Sequence, residues 1–182
     1  MELKEIKLDS ELIFHGKVLD LYRDTVRLPD GNEATREVVR HPGAVAVLPL
    51  TDKNEIIFVQ QYRYPFAYVT NEIPAGKLDG KGEDPVSAAL RELREETGCS
   101  CDKLTPLGDV WPSVAIFDEV IHLYLAEGLH SGECDPDDDE FLNVIKIPFD
   151  QALDMVLRGE IRDAKTQAAI MKVKLLKDKK QI

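Results

Sequence analysis

With 182 residues, 34 acidic against 23 basic side chains and a formal net charge of −11, the chain has the length of one domain with a sizeable core, or of one domain and a short appended element. A hydrophobic fraction of 43% beside 31% charged residues is too apolar for disorder, and no apolar run approaches the roughly 20 residues that a membrane-spanning helix needs. The acidic balance argues against a nucleic-acid partner, whose phosphates require a basic face, but leaves room for a phosphate-bearing substrate if metal ions screen the repulsion.

The opening MELKEIKLDSELIF has neither the basic nor the apolar stretch of a signal peptide, so a cytoplasmic protein that does not engage membranes is expected. Residues 12 to 28 and 35 to 50 read as two extended stretches joined by a turn at Pro29-Asp30-Gly31-Asn32. Within the second, Ala44 to Leu50 is nearly all apolar, which suits a strand covered on both faces. After a turn at 52–55, Ile56 to Arg63 is its hairpin partner. Residues 64 to 82 read mainly as loop, with a short strand at 69–73. A helix over 85–97 follows, then strands over 104–111 and 119–126, an acidic loop over 133–140 and a strand over 141–147. Two helices, 149–158 and 163–177, are split by Gly159, and the basic tail 172–180 reads as a solvated helix end. Strands and helices interleave without a long linker, which predicts an α/β fold. Cys99, Cys101 and Cys134 are odd in number with no zinc-like spacing, and read as reduced structural thiols.

The helix over 85–97 is well punctuated. Asp84 suits the N-cap, Pro85 the first helical position, and Gly98 the left-handed stop. At about 100° per residue, Val86, Leu90, Leu93 and Thr97 form a stripe for the core. Glu92 and Glu96 share one flank, Glu95 lies opposite the stripe, and Arg91 reaches Glu95 one turn on. Acids on a solvated flank are ordinary. These, however, crowd the last turn, where the helix dipole disfavours negative charge, they repel one another without a cation among them, and they follow a glycine-rich loop able to approach a ligand closely. Carboxylates one turn apart suit Mg²⁺, which takes one or two of them and fills its remaining positions with water and phosphate oxygens. The residues alone therefore suggest metal-assisted chemistry on a phosphate ester or anhydride.

Glu83, seven residues, and then Arg91-Glu92-Leu93-Arg94-Glu95-Glu96-Thr97-Gly98-Cys99 closely resembles the signature of the Nudix hydrolases. Six residues separate Gly76 from Glu83 where the signature has five, and Cys99 fills a hydrophobic position. The likeness extends to Arg36 to Val45, Gln60-Gln61-Tyr62-Arg63, Glu72 to Leu78 and Asp163-Ala164-Lys165-Thr166, which resemble the ADP-ribose pyrophosphatase branch. It implies an α/β/α sandwich with a mixed sheet over residues 43–182, preceded by an N-terminal β-hairpin subregion, 1–42, used in dimerisation.

The resemblance further implies hydrolysis of the diphosphate bond of a nucleoside diphosphate sugar, with Mg²⁺ (or Mn²⁺) held by Glu92, Glu96 and the carbonyl of Ala75, and Glu95 as a further ligand or an orienting group. Arg63 and Glu72 would contact the substrate, and Arg36 would reach a neighbouring subunit's site in a homodimer. A late-loop carboxylate, Glu140 first and Asp138 second, would position or deprotonate the attacking water, a task Glu95 is also placed to perform. Many relatives carry Ser-Pro-Gly after the box. Here Ser113-Val114-Ala115 stands instead, making the loop less kinked and more apolar, with Phe117 or Trp111 a candidate for base stacking as well as for core packing. ADP-ribose leads among substrates, with GDP-mannose as a runner-up. A Nudix-fold sensor that binds ADP-ribose without cleaving it is a separate reading, which the retention of all three box acids argues against.

Overall fold

A computed structural model describes residues 2–17, 19–80, 82–134 and 141–182. The backbone contacts divide the chain into two units, Met1–Pro42 with Trp111–Val120, and Gly43–Val110 with Ile121–Ile182.

In the first unit, β1 (Ile6–His15), β2 (Asp20–Arg27) and β3 (Glu33–Arg40) form an antiparallel meander. The turn between β2 and β3 is the one expected. Gly31 has φ +90, a left-handed conformation that favours glycine, and the Asp30 side chain accepts from the Asn32 N–H. Where two strands were expected there are three, because the chain breaks after His15 and β1 starts at Ile6. Ser10 interrupts the two-residue alternation of Ile6, Leu8, Leu12 and Phe14, and all ten residues of β1 are exposed. Residues 111–120 run beside β3, with Val39 bridged in parallel to Phe117. Arg40 fastens them by pairing with both Asp118 and the buried Asp24, which also accepts from Ser10. Trp111 is 66% exposed, so core packing does not apply to it.

The second unit comprises β4 (Ala44–Pro49), β5 (Glu55–Arg63), a 3-10 turn (Tyr64–Phe66), β6 (Tyr68–Glu72), β7 (Ala75–Lys77), α1 (Pro85–Thr97), β8 (Cys99–Val110), β9 (Ile121–Ser131), β10 (Asn143–Pro148), α2 (Phe149–Leu157) and α3 (Ala164–Asp178). One sheet runs β7-β4-β9-β8, mixed because β4 and β9 are parallel while its other pairs are antiparallel; the other runs β10-β5-β6. Every residue of β4 is buried, and its alternation divides the core. Val45 and Val47 join Leu78, Ala88, Ala89 and Leu93 on the α1 side. Ala44, Ala46 and Leu48 join Phe149, Ala152, Ile170 and Val173 on the side of α2 and α3. Helices thus cover both faces, as the α/β/α reading requires.

The ends of α1 follow from the residues named for them. Asp84 accepts from Ser87 N–H, Pro85 opens the helix, and Gly98 at φ +67 closes it by donating to the Arg94 carbonyl. The buried face differs from the expected stripe. Ala88, Ala89, Glu92, Leu93, Glu96 and Thr97 are buried, whereas Val86 and Leu90 are more than 40% exposed. Two alanines bring the helix axis close to β4, and that approach rotates the acidic flank inward. The basic end of α3 is also less free than expected: Lys172 donates to the Leu107 carbonyl, and Lys177 lies 4.3 Å from the centre of the Phe149 ring.

Candidate active site

The site is organised around a short crossing, Glu72 to Ala75, where the chain leaves the β10-β5-β6 sheet and enters the β7-β4-β9-β8 sheet. Buried backbone polar groups need partners, and each one here is met by a different element. The Ile73 N–H donates to Thr166 Oγ1 of α3 at 2.9 Å. The Pro74 carbonyl accepts from Val47 N–H of β4, and Pro74 has no N–H to satisfy. The Ala75 N–H donates to Glu96 Oε2 of α1 at 2.9 Å.

At the upstream end, Glu72 is 3% exposed and receives a bidentate grip from Arg63, Nε to Oε1 and Nη2 to Oε2, both at 2.8 Å. In the β5-β6 hairpin Arg63 is paired with Tyr68 and Glu72 with Val59, so the register puts the two side chains on one face, four positions apart, and the long arginine side chain spans the gap. Thr70 Oγ1 donates to Glu72 Oε1 at 2.6 Å, and Lys165 Nζ donates to Oε2. Burial would push the Glu72 carboxyl up, but the Arg63 hydrogen bonds and the charge and hydrogen bond of Lys165 outweigh it and hold the group at about 2. Conversely, the Glu72 bond raises the Arg63 guanidinium above its ordinary value. The arginine side chain remains 41% exposed, so the pair presents a cationic surface from a buried anionic base.

At the downstream end, Glu92 and Glu96 are 8% and 4% exposed. Gly76 makes room for the first: a Cβ there would lie 1.9 Å from Glu92 Oε1. Arg91 gathers the acids, donating from Nη1 to Glu92 at 2.7 Å and to Glu95 at 3.1 Å, and from Nη2 to Glu83 and to the Lys77 carbonyl. Glu95 is partly exposed and lies off the buried face.

The expected site residues therefore fall into three sets. Arg63, Glu72, Ala75, Glu92 and Glu96 converge on the crossing, with Glu95 joined to them through Arg91. Arg36 belongs to the other unit, where it makes a two-point ion pair with Glu5. Glu140 and Asp138 lie outside the described residues. Among the described residues, no group of three or more His, Cys, Asp or Glu side chains is arranged to hold a metal ion. Two carboxylates suffice for a cation that completes its shell with backbone, water and substrate oxygens. The Gly76 cradle beneath Glu92, the buried acid pair and the adjoining Ala75 backbone fit that donor set. Sequence reasoning missed Thr70, Lys165 and Thr166 as parts of the site. For the latter two the signals were the likeness of Asp163-Ala164-Lys165-Thr166 to the ADP-ribose pyrophosphatase branch and Asp163 as an N-cap three residues before Thr166, which mark the segment and a helix start but not what that start touches.

Residues 40–169 match the family model described as NUDIX domain, and residues 5–39 match that of the nucleoside diphosphate sugar hydrolase N-terminal domain. ADP-ribose pyrophosphatase of Bacillus subtilis is 47% identical over 175 residues, 95% of this chain and 94% of the relative. Methanol dehydrogenase activator of Bacillus methanolicus is 45% identical over 174 residues, 94% of each. The crystal structure of an ADP compounds hydrolase covers 100% of both chains with a TM-score of 0.87 at 22% identity, a likeness of fold.

Proposed function

The chain belongs to the NUDIX family, and from that premise we propose that it hydrolyses the diphosphate bond of ADP-ribose or a related nucleoside diphosphate sugar, giving a nucleoside monophosphate and a sugar phosphate. The observation that carries the reading is the crossing itself. A phosphate-compatible arginine is anchored at Glu72, and a buried carboxylate pair stands just beyond it, Glu96 on the Ala75 N–H three residues on and Glu92 against Gly76. A diphosphate presents both a charge to pair and oxygens to ligate, and a site with one cationic and one anionic grip suits it.

Glu92, Glu96 and the Ala75 carbonyl would hold Mg²⁺, or Mn²⁺ in its place, whose role when bound is to neutralise diphosphate charge and acidify a water ligand. Arg63 binds a phosphate oxygen through its exposed edge, while Glu72 fixes the plane of the guanidinium. A carboxylate takes the proton from water as the new P–O bond forms and the bridging P–O bond breaks. That base is Glu140 first, then Asp138, with Glu95 as the third choice. We place the enzyme in the cytoplasm as a homodimer, with Arg36 serving the neighbouring subunit's site. Support for a protein partner comes from β1, whose Leu8, Leu12 and Phe14 are all exposed. No helix among the described residues is long and apolar enough to cross a membrane.

The test is a substrate panel of ADP-ribose, GDP-mannose and NADH with product identification. Turnover of ADP-ribose to AMP and ribose phosphate, abolished by chelator and restored by Mg²⁺, is expected; metal-independent binding without turnover would instead support the sensor. Light scattering should report a dimer mass, and a monomer at assay concentrations would remove Arg36 from the site.

A further inference from the structure

The first turn of α3 does more than start a helix. Capping requires Asp163 to accept from the Thr166 N–H, which it does at 3.0 Å. It does not require Thr166 Oγ1 to accept from Ile73 N–H, 93 residues away, nor Lys165 to turn inward onto Glu72. Both occur, and both ends are buried: Thr166 and Ile73 are fully covered, and the Lys165 side chain is 11% exposed. An ammonium so covered, held between Glu72 and Asp163, is not a solvated surface charge. Thr166 Oγ1 in turn donates to Asp163 Oδ2, so the Ile73 amide, Thr166 and Asp163 form one chain of donors and acceptors.

We propose that Lys165 and Thr166 are positioning residues for substrate binding: they hold Glu72 and Ile73 from behind, so that Glu72 keeps Arg63 aimed at the diphosphate. Three points support this. The Glu72 carboxylate uses both oxygens on Arg63, and its orientation therefore sets the guanidinium plane. A carboxylate at the end of β6 is free to rotate about its side-chain bonds unless a second group fixes it, and Lys165 and Thr70 are the donors that do so. Finally, Arg63 and Lys165 balance Glu72 and Asp163. When a phosphate oxygen draws on Arg63, Lys165 remains to compensate the buried Glu72, which would otherwise hold the arginine back.

The proposal rests on Arg63 being the substrate arginine, and its test separates the two ideas. With ADP-ribose and saturating Mg²⁺, Lys165→Met should raise KM about tenfold with kcat within about twofold, and Lys165→Arg should recover most of the loss. In a Glu72→Gln background, Lys165→Met should add less than about twofold, because its route to the substrate has already been cut. Thr166→Val should shift KM in the same direction, and Thr166→Ser, which retains the hydroxyl, should restore it. A group important only for folding would lower thermal stability without this split. Independently of any substrate, the Arg63 Nε–H resonance, assigned by its loss in Arg63→Lys, should be protected from exchange in the wild type and exposed in Lys165→Met. An unchanged KM, an effect that multiplies fully with Glu72→Gln, or an unaltered Arg63 resonance would overturn the proposal. A wild type that leaves ADP-ribose intact would overturn the functional reading alone, since the resonance still decides the positioning role.

Discussion

Glu72 and Glu96 are two buried carboxylates at opposite ends of one four-residue crossing, and the chain surrounds them differently. Glu72 is enclosed by Arg63 and Lys165, cations supplied by two separate elements. Glu96 receives a neutral backbone N–H from Ala75 and shares its helix flank with Glu92. The first arrangement compensates a charge with the protein's own side chains and turns that charge into a mount for an arginine. The second gathers Glu83, Glu92 and Glu95 around one arginine, Arg91, with Glu96 beside them near the end of a helix whose dipole opposes negative charge, so acids outnumber the cation, an arrangement that suits an external cation. Burial alone therefore does not tell what a carboxylate does; the kind of donor around it does.

That contrast can be broken most severely at Glu96. Glu96→Gln keeps the shape but removes the charge, and turnover should fall by about 10³-fold without recovery at higher Mg²⁺, since metal stabilisation of the reacting phosphates is worth several kcal/mol. Near-normal turnover would remove the cation from this end of the crossing. Gly76→Ala tests the same end through shape. Its Cβ would fall 1.9 Å from Glu92 Oε1, and because the obstacle is the tip of a flexible side chain, the carboxylate should move while the fold persists. A rise of about tenfold or more in the Mn²⁺ dissociation constant is expected, read by the spin resonance of the free ion, with little change in melting temperature.

At the other end, Arg63→Ala should raise KM for ADP-ribose by roughly 10- to 100-fold, the scale of a lost charge-assisted hydrogen bond, with a smaller effect on kcat. A variant that changes kcat alone would place Arg63 in the chemical step instead. The smallest effect is on acid stability. Glu72 has its carboxyl lowered from 4.5 to about 2, so the unfolded chain binds the proton more readily. Stability from this group is fully present above about pH 4.5 and is lost as pH falls toward about 2, by at most on the order of 3 kcal/mol. Glu72→Gln should flatten that part of the acid denaturation profile, and an unchanged profile would mean the ion pair contributes nothing net.

Much of this arrangement is written locally. Asp84, Pro85 and Gly98 specify the limits of α1, because capping and stop geometry depend on neighbours in the chain. The apolar run of β4 announces a strand buried on both faces, and the spacing from Glu83 to Gly98 carries the family. Other features are not local. The rotation of α1 depends on Ala88 and Ala89 packing close to β4, so Val86 and Leu90 look like core residues in a helical projection and are not. β7, three residues long, is recognisable as a strand only by its pairing with Ala44 to Ala46. β1 was obscured because Ser10 breaks its apolar alternation and none of its residues is buried.

The sequence by itself determined the elements, the acidic box and the kind of chemistry those acids favour, since caps, periodicity and ligand type act over a few residues. Only the tertiary structure decided which carboxylate meets which donor. Arg63, Glu72, Glu96 and Thr166 come from four separate elements, and their contacts depend on strand register and helix docking across as many as 93 residues, a relation that no short-range pattern encodes.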